Sequence, residues 1–373
     1  MSCEGSTVEV KYKVDCTNVS ALLEDFMIDK NSFEVAHTAA CIFFNALAEK
    51  YCVTVLHSGI ASVEQTDIYK EIITKTYKLG PFYWQKNVAK YVASQKYDIV
   101  IAMSNARWIS TILTMFKLPI SVNFIWWGGW LTKSKVANWI RIFLANNKHA
   151  SVFYTEKERK RYIKRGVDSK KLFVANNSIE VGKRSMSYNN QLKDIILFVG
   201  SLDKRKQLNQ LIMCFDNIKH KIPSSVNLII IGDGDERKHL QCLISERNLS
   251  KRVILIGKIN EPSKLQQYYQ KAIVSVSIGQ AGLAILQSFG HGVPFLTKCN
   301  AISGGEITNI KHDINGILCD DSNFSIEMNI IKLCNDIQFA KKLGKNAYDH
   351  YTNFCQTKHM LQGFEKAIAY RLN

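Results

Sequence analysis

The chain has 373 residues, 46% hydrophobic and 22% charged, a globular composition too long for one ordinary core, so two domains are expected. With five prolines, no low-complexity tract, no apolar run of about 18 residues and no basic-then-apolar start, a disordered linker, a membrane span and a signal peptide are excluded, and the expected location is the cytoplasm. The net charge of +17 favours phosphate-rich partners (nucleic acid, anionic lipid or phosphorylated small molecules), although biased codon usage gives the same excess without a function.

In chain order the pattern is strand then helix. "STVEVKYKV" near the start alternates like a half-exposed edge strand, and residues 1–30 are otherwise unplaced because no glycine-rich turn follows a first buried strand. Buried strands are predicted within 51–59, 97–104, 118–127 and 150–155, and again within 195–200, 226–234, 252–257, 273–279 and 293–297. Their apolar runs are continuous, which indicates strands covered on both faces and hence parallel sheets. Helix-length segments such as 204–221, 235–249 and 263–271 separate them, so a doubly wound α/β pattern occurs twice. The polar stretch 176–194 reads as the hinge, and residues after about 335 read as helical, with the last helix able to return to the first domain. The ten cysteines lie far apart without a C-x-x-C pair, which favours reduced, buried thiols over a zinc site or a redox dithiol.

Four pieces of the second half bear on chemistry. "FVGSLDKRKQLNQLI" (198–212) ends a strand on Gly200 and opens a helix with Lys204, Arg205 and Lys206, a cluster suited to a diphosphate or simply to solvent. "IGDGDERKHL" (231–240) holds a D-x-D spacing at Asp233 and Asp235, which a tight turn with acids at a helix start explains more simply than a metal. "VILIGKIN" (253–260) ends its strand on Gly257, where bare backbone lets a flat base approach. "IGQAGLAILQSFGHGVP" (278–294) is a glycine-rich turn running into a helix, followed by a second Gly-Gly turn and Glu306.

In that order and spacing the pieces resemble the C-terminal domain of family 4 retaining glycosyltransferases of the bacterial surface-polysaccharide type. The resemblance rests on Gly200 to Lys206, Gly232-Asp233-Gly234, Gly282-Leu283, Gly292-Val293-Pro294, Glu306-Ile307 and Asn315-Gly316-Ile317. It is strong over about 195–320 and weaker upstream. It implies the GT-B fold, two Rossmann-like parallel-sheet domains facing across a cleft. An acceptor-binding domain would occupy 1–180, a nucleotide-sugar domain 181–350, and a helix of 351–373 would pack back toward the first. It further implies Lys206 and His37 as catalytic residues. Donor contacts would come from Gly200, Ser201, Lys204, Arg205, Gly257, Gly279, Gln280, Ala281, Gly282, Leu283, Gln287 and Glu306, with no metal and no cofactor beyond the nucleotide diphosphate sugar. The family's two glutamates that flank the glycine-rich loop fall on Gly279 and Gln287, and the arginine common after the strand-ending glycine falls on Ser201. A glutamine carbonyl still accepts a hydrogen bond from a ribose hydroxyl, whereas glycine replaces nothing.

In the first half, Trp126, Trp127 and Trp130 of "WWGGW" suit a sugar ring, lipid headgroups or plain core packing alike. Over 132–166, Trp139, Ile140, Phe143 and Leu144 share a helical face beside a dense run of Lys and Arg. That surface suits an anionic membrane, and a solvated helix with a buried stripe gives the same pattern. Nucleic acid is not an expected partner, since no nucleic-acid module is present. The sequence therefore predicts a transferase acting on a lipid-linked or polysaccharide acceptor. The alternative is a catalytically silent protein of the same fold that serves a partner enzyme.

Overall fold

The computed structural model describes residues 18–22, 42–57, 68–94, 97–117, 122–147, 149–182 and 184–372. His37 and the alternating stretch at 6–14 lie outside them. The described residues fall into two compact units, one of residues up to 175 together with those from 361 onward, the other of residues 176–360.

The strands of the first unit are β1 (Asn18–Leu22), β2 (Cys52–His57), β3 (Lys70–Ile73), β4 (Thr76–Leu79), β5 (Phe82–Gln85), β6 (Ile99–Met103), β7 (Asn123–Trp127), β8 (Ala150–Phe153) and β9 (Leu172–Val174). All but β4 and β5 form one parallel sheet in the order β3-β2-β1-β6-β7-β8-β9. β4 and β5 make a separate antiparallel ribbon. The central strand β1 escapes the sequence pattern because "NVSAL" is short and lacks a continuous branched run. Helices α1 (Val88–Ser94), α2 (Ile109–Lys117), α3 (Lys135–Asn146) and α4 (Glu156–Ile163) follow their strands. Each of the last two starts where a side chain accepts an otherwise unmet amide: Ser134 takes the amide of Ala137 and Thr155 that of Glu158.

The second unit repeats the scheme with β10 (Ile195–Val199), β11 (Asn227–Ile231), β12 (Val253–Gly257), β13 (Ala272–Val276), β14 (Phe295–Lys298) and β15 (Gly316–Cys319). They form a parallel sheet in the order β12-β11-β10-β13-β14-β15, the dinucleotide-binding arrangement. Helices α5 (Leu208–Ile218), α6 (Arg237–Glu246), α7 (Pro262–Lys271), α8 (Ala284–Gly290), α9 (Asn323–Asn335) and α10 (Ile337–Phe354) cover it. β13 is buried along its whole length and β10 along all but its last residue. β12 sits at the edge, so Ile254 and Ile256 are exposed despite a similar sequence. Both sheets are thus doubly wound, as the repeated strand–helix pattern predicts.

The polar stretch 176–194 is fastened to the second unit. The Tyr351 hydroxyl donates to the Ile179 carbonyl and accepts from the Val181 amide, and Val181 is buried against Ile285 and Phe289. The last helix, α11 (Thr357–Leu372), enters the first unit from residue 361. There Phe364 packs on Phe43 and Trp127, and Glu365 pairs with Lys50. Cys214, Cys319, Cys334 and Cys355 are free and buried, with thiols pushed up to about 12 by that burial. Cys52 departs from the expectation of reduced thiols, since it takes part in a disulfide.

Candidate active site

Chain order reverses between β10 and β13, so the loops that follow these two strands part to opposite faces of the sheet and leave a crevice at their carboxyl ends. The residues that converge there come from the two glycine turns and the basic turn.

After β10 the chain makes a 3-10 turn, Lys204–Lys206, capped by Asp203. The Asp203 carboxylate accepts the Arg205 amide at 2.9 Å and the Ser201 hydroxyl at 2.7 Å, and pairs with the Arg205 guanidinium at 3.1 Å. Partial burial alone would raise its carboxyl, but these bonds outweigh burial and hold it below the usual carboxylate range. Ser201 and Arg205 are therefore engaged with Asp203 within the turn. Lys204 instead lines a pocket of about 620 Å³ with Gln207, Asn209, Gln210, Glu236 and His239.

Lys206 turns the other way. Its ammonium lies 3.4 Å from the Gln280 carbonyl, half-buried, and burial lowers its pKa while Asp203 and Glu306 pull it back up. Among the described residues no carboxylate pairs with it in a salt bridge, and a cation so held in low dielectric is strongly attracted to an incoming anion.

Gly279 lies directly under this turn. A Cβ there would stand 2.1 Å from the Arg205 carbonyl oxygen and 2.9 Å from the Lys206 carbonyl carbon. The position takes no side chain at all, so the glutamate that the resemblance places here has no room. The loop is then pinned sideways. Ile302 donates its amide to the Gly279 carbonyl at 2.9 Å, and Ala281 donates its own to the Ile302 carbonyl at 2.9 Å. Two expected donor contacts change accordingly: the Ala281 amide is spent on Ile302 while its methyl is buried, and Leu283 packs on the apolar cluster around Ile285 and Phe289. Gly282 remains open, with nothing within 4 Å of where a Cβ would be. Gln287 is half-buried on α8.

The same pinning brings the second Gly-Gly turn alongside. Glu306 is buried and its carboxylate accepts from Asn177 at 2.8 Å and from the Ser303 hydroxyl at 3.0 Å. The structure thus groups Lys206, Gln280, Gly279 and Glu306. Gly200 belongs with Gly232, because a Cβ on Gly232 would lie 1.8 Å from the Gly200 carbonyl oxygen. Gly232 in turn donates to the Gly257 carbonyl at 2.9 Å. The D-x-D turn is local: the Asp233 carboxylate accepts the amide of Gly234.

Sequence reasoning passes over Arg237. Its guanidinium lies 3.6 Å from the Cβ position of Gly257, and its Nη1 is buried without a hydrogen-bond partner among the described residues. Nothing in the sequence singles it out, because the glycine it meets ends the next strand. In the first unit, Trp126 and Trp127 are buried core, and Trp130 stacks on Tyr154. Of the basic run, Arg159 and Arg161 bond Glu156, Glu158 and nearby carbonyls.

Residues 184–350 match the family described as Glycosyl transferases group 1. An uncharacterized glycosyltransferase of Methanocaldococcus jannaschii is 25% identical over 279 residues, which is 68% of this chain and 64% of that protein. A Campylobacter jejuni enzyme, N-acetylgalactosamine-N,N'-diacetylbacillosaminyl-diphospho-undecaprenol 4-alpha-N-acetylgalactosaminyltransferase, is 34% identical over 102 residues, 26% of this chain and 27% of its own. The matched segments span less than two thirds of these relatives. The Anabaena protein HepE, solved with UDP and glucose, superposes with a TM-score of 0.69 at 14% identity, covering 95% of this chain and 99% of HepE. The fold is GT-B, and the second unit contains the segment that is similar to the group 1 glycosyl transferases.

Proposed function

We propose that this protein is a glycosyltransferase that moves a sugar from a nucleotide diphosphate sugar to a lipid-linked or polysaccharide acceptor in cell-surface glycan synthesis. Transfer retains the anomeric configuration and draws on Lys206 rather than a metal. The carrying observation is the Lys206 ammonium against the Gln280 carbonyl at the crevice between β10 and β13. As the donor's glycosidic bond breaks, the sugar becomes oxocarbenium-like and the departing diphosphate gains charge. A preorganised, half-buried ammonium stabilises that charge more than it stabilises the intact donor. Arg237, beside Gly257, reads an acceptor atom on the base, and Glu306 with Gln287 faces the sugar and ribose hydroxyls. UDP in the HepE structure supports a uridine donor, and the diphospho-undecaprenol in the Campylobacter enzyme's name supports a lipid-linked acceptor. A surface within 132–166, where Trp139 and Phe143 stack outside the core, brings the protein to the membrane that holds such an acceptor.

The test is release of nucleoside diphosphate by purified protein with a panel of donors and a lipid extract as acceptor. Turnover with one donor, lost in Lys206→Ala, is expected. Donor binding without release for any donor and acceptor would overturn the reading in favour of a silent binding protein.

A further inference from the structure

The β4–β5 ribbon has its apolar face on the outside. Its register sets Tyr77 opposite Trp84 and Leu79 opposite Phe82, so these four share one face, while Lys78, Tyr83 and Gln85 share the other. The second face is fixed to the unit. The Tyr83 ring stacks on Trp108 at 5.3 Å, its amide donates to the Arg107 carbonyl at 2.8 Å, and the Gln85 amide donates to the Ser110 hydroxyl at 3.0 Å. The first face meets solvent: Leu79 is 55% exposed, Phe82 42%, Tyr77 40% and Trp84 36%. A water-facing ribbon ordinarily shows polar residues there, and a contiguous apolar patch marks a binding surface.

The charge carried by the ribbon's own stretch of chain has one sign. From 72 to 97 the chain holds no aspartate or glutamate, while Lys75, Lys78, Lys86 and Lys90 are all exposed. Lys75 lies over the Tyr77 ring at 5.5 Å. The tip is Gly80-Pro81, and nothing stands within 4 Å of a Cβ built on Gly80. Aliphatic and aromatic residues at a free tip, tyrosine and tryptophan behind them and lysines around them match the layers of a lipid headgroup region. A neutral glycan needs no lysines. A second copy would bring two lysine clusters of like charge together.

We propose that the β4–β5 ribbon is a wedge that enters an anionic membrane, with Leu79 and Phe82 deepest, Tyr77 and Trp84 at headgroup level and the lysines on lipid phosphates. The assignment does not depend on the transferase reading, and it names a surface other than 132–166.

The test is sedimentation of the full chain with vesicles of phosphatidylcholine alone and of phosphatidylcholine with phosphatidylglycerol, at low and physiological salt. Expected is binding to the anionic vesicles only, weakened by salt. Leu79→Ser with Phe82→Ser should weaken it more than tenfold, and Lys→Gln at 75, 78, 86 and 90 by about fivefold per lysine. Unchanged far-UV circular dichroism and thermal midpoint in these variants of exposed residues keep a loss interpretable. Undiminished binding in the ribbon variants, with loss only in Trp139→Ser with Phe143→Ser, would overturn the wedge and leave 132–166 as the docking face. No binding to anionic vesicles at low salt would overturn both. A concentration-dependent dimer in ultracentrifugation, abolished by the ribbon substitutions without vesicle binding, would assign the face to a second copy.

Discussion

The two units share a strand order around their central strand and differ in what stands at their strand ends. In the second unit, the turns after β10, β11 and β13 close on glycines whose absent side chains let backbone meet backbone: Gly232 on Gly200, and Gly279 on the 205–207 turn. Lys206 and the buried Glu306 carboxylate stand beside these contacts. In the first unit, β7 ends in Trp126 and Trp127, packed as core, and in Gly128-Gly129, with Gly129 over the Tyr162 hydroxyl. One scaffold therefore carries two kinds of strand end, and the difference lies in the loops and not in the sheet.

The largest way to break the contrast is to remove the cation. Lys206→Ala is expected to lower turnover by about 10²–10³-fold at unchanged stability, read in a nucleoside diphosphate release assay. The same residue sets a pH dependence. Burial holds its pKa below the usual lysine value, so its charge is lost on alkalinisation before that of an exposed lysine. Nucleoside diphosphate affinity should fall as pH rises through that lowered pKa, and calorimetry at stepped pH should show proton uptake on binding there. Lys206→Ala should flatten both.

Next is the packing beneath it. Gly279→Ala sets a methyl 2.1 Å from the Arg205 carbonyl, so the basic turn must move. A loss of about 3 kcal/mol in urea unfolding is expected, with weaker donor binding in the molecules still folded. Gly279→Glu, which supplies the acid that the resemblance places here, should do worse and not better. A functional Gly279→Glu would show that the loop has another arrangement.

A third comparison concerns a histidine in each unit. His291 stacks on Tyr269 at 4.3 Å, and burial lowers its pKa to about 4; His149 is lowered to about 4 by burial, with Arg371 and Lys171 adding to it. Unfolded, each takes up its proton near pH 6.5, and folded only near 4. The folded state's advantage is thus whole above about pH 6.5 and is lost as pH falls toward 4, by about 3 kcal/mol for His291. Urea midpoints at pH 7 and 4.5 should differ accordingly, and His291→Phe should remove about that share of the difference.

Legibility differed in the same way between the units. Strands β10 to β14 could be read because unbroken branched runs have one physical explanation in a parallel sheet. The grouping of Lys206, Gln280 and Glu306 followed from glycines and charges at strand ends. β1 could not be read, because five residues of mixed polarity become a central strand only through neighbours on both sides. Nor could the role of Arg205, whose bond to Asp203 hangs on the geometry of a single turn, nor that of Ala281, whose bond to Ile302 depends on how loops distant in sequence pack. Arg237 is invisible for the same reason. The outward face of the β4–β5 ribbon alternates in plain sight, yet alternation alone does not say which face is anchored.

The smallest expected effect is the most discriminating between the units. Gly129 has φ +99°, and a Cβ on it would lie 3.0 Å from the Tyr162 hydroxyl and 3.1 Å from that of Ser104. Tyr162 donates to the Gly129 carbonyl at 2.7 Å. Gly129→Ala forces an alanine into a left-handed conformation and disturbs this bond, at a cost of about 1–2 kcal/mol. The contacts are side-chain hydroxyls that can give way, whereas those at Gly279 are backbone. Turnover per folded molecule should stay within about twofold of the parent, because no proposed donor contact touches the turn. Urea unfolding and release kinetics on one preparation check both halves. A large loss of turnover at preserved stability would place this turn in the chemistry and end the division of labour between the two units.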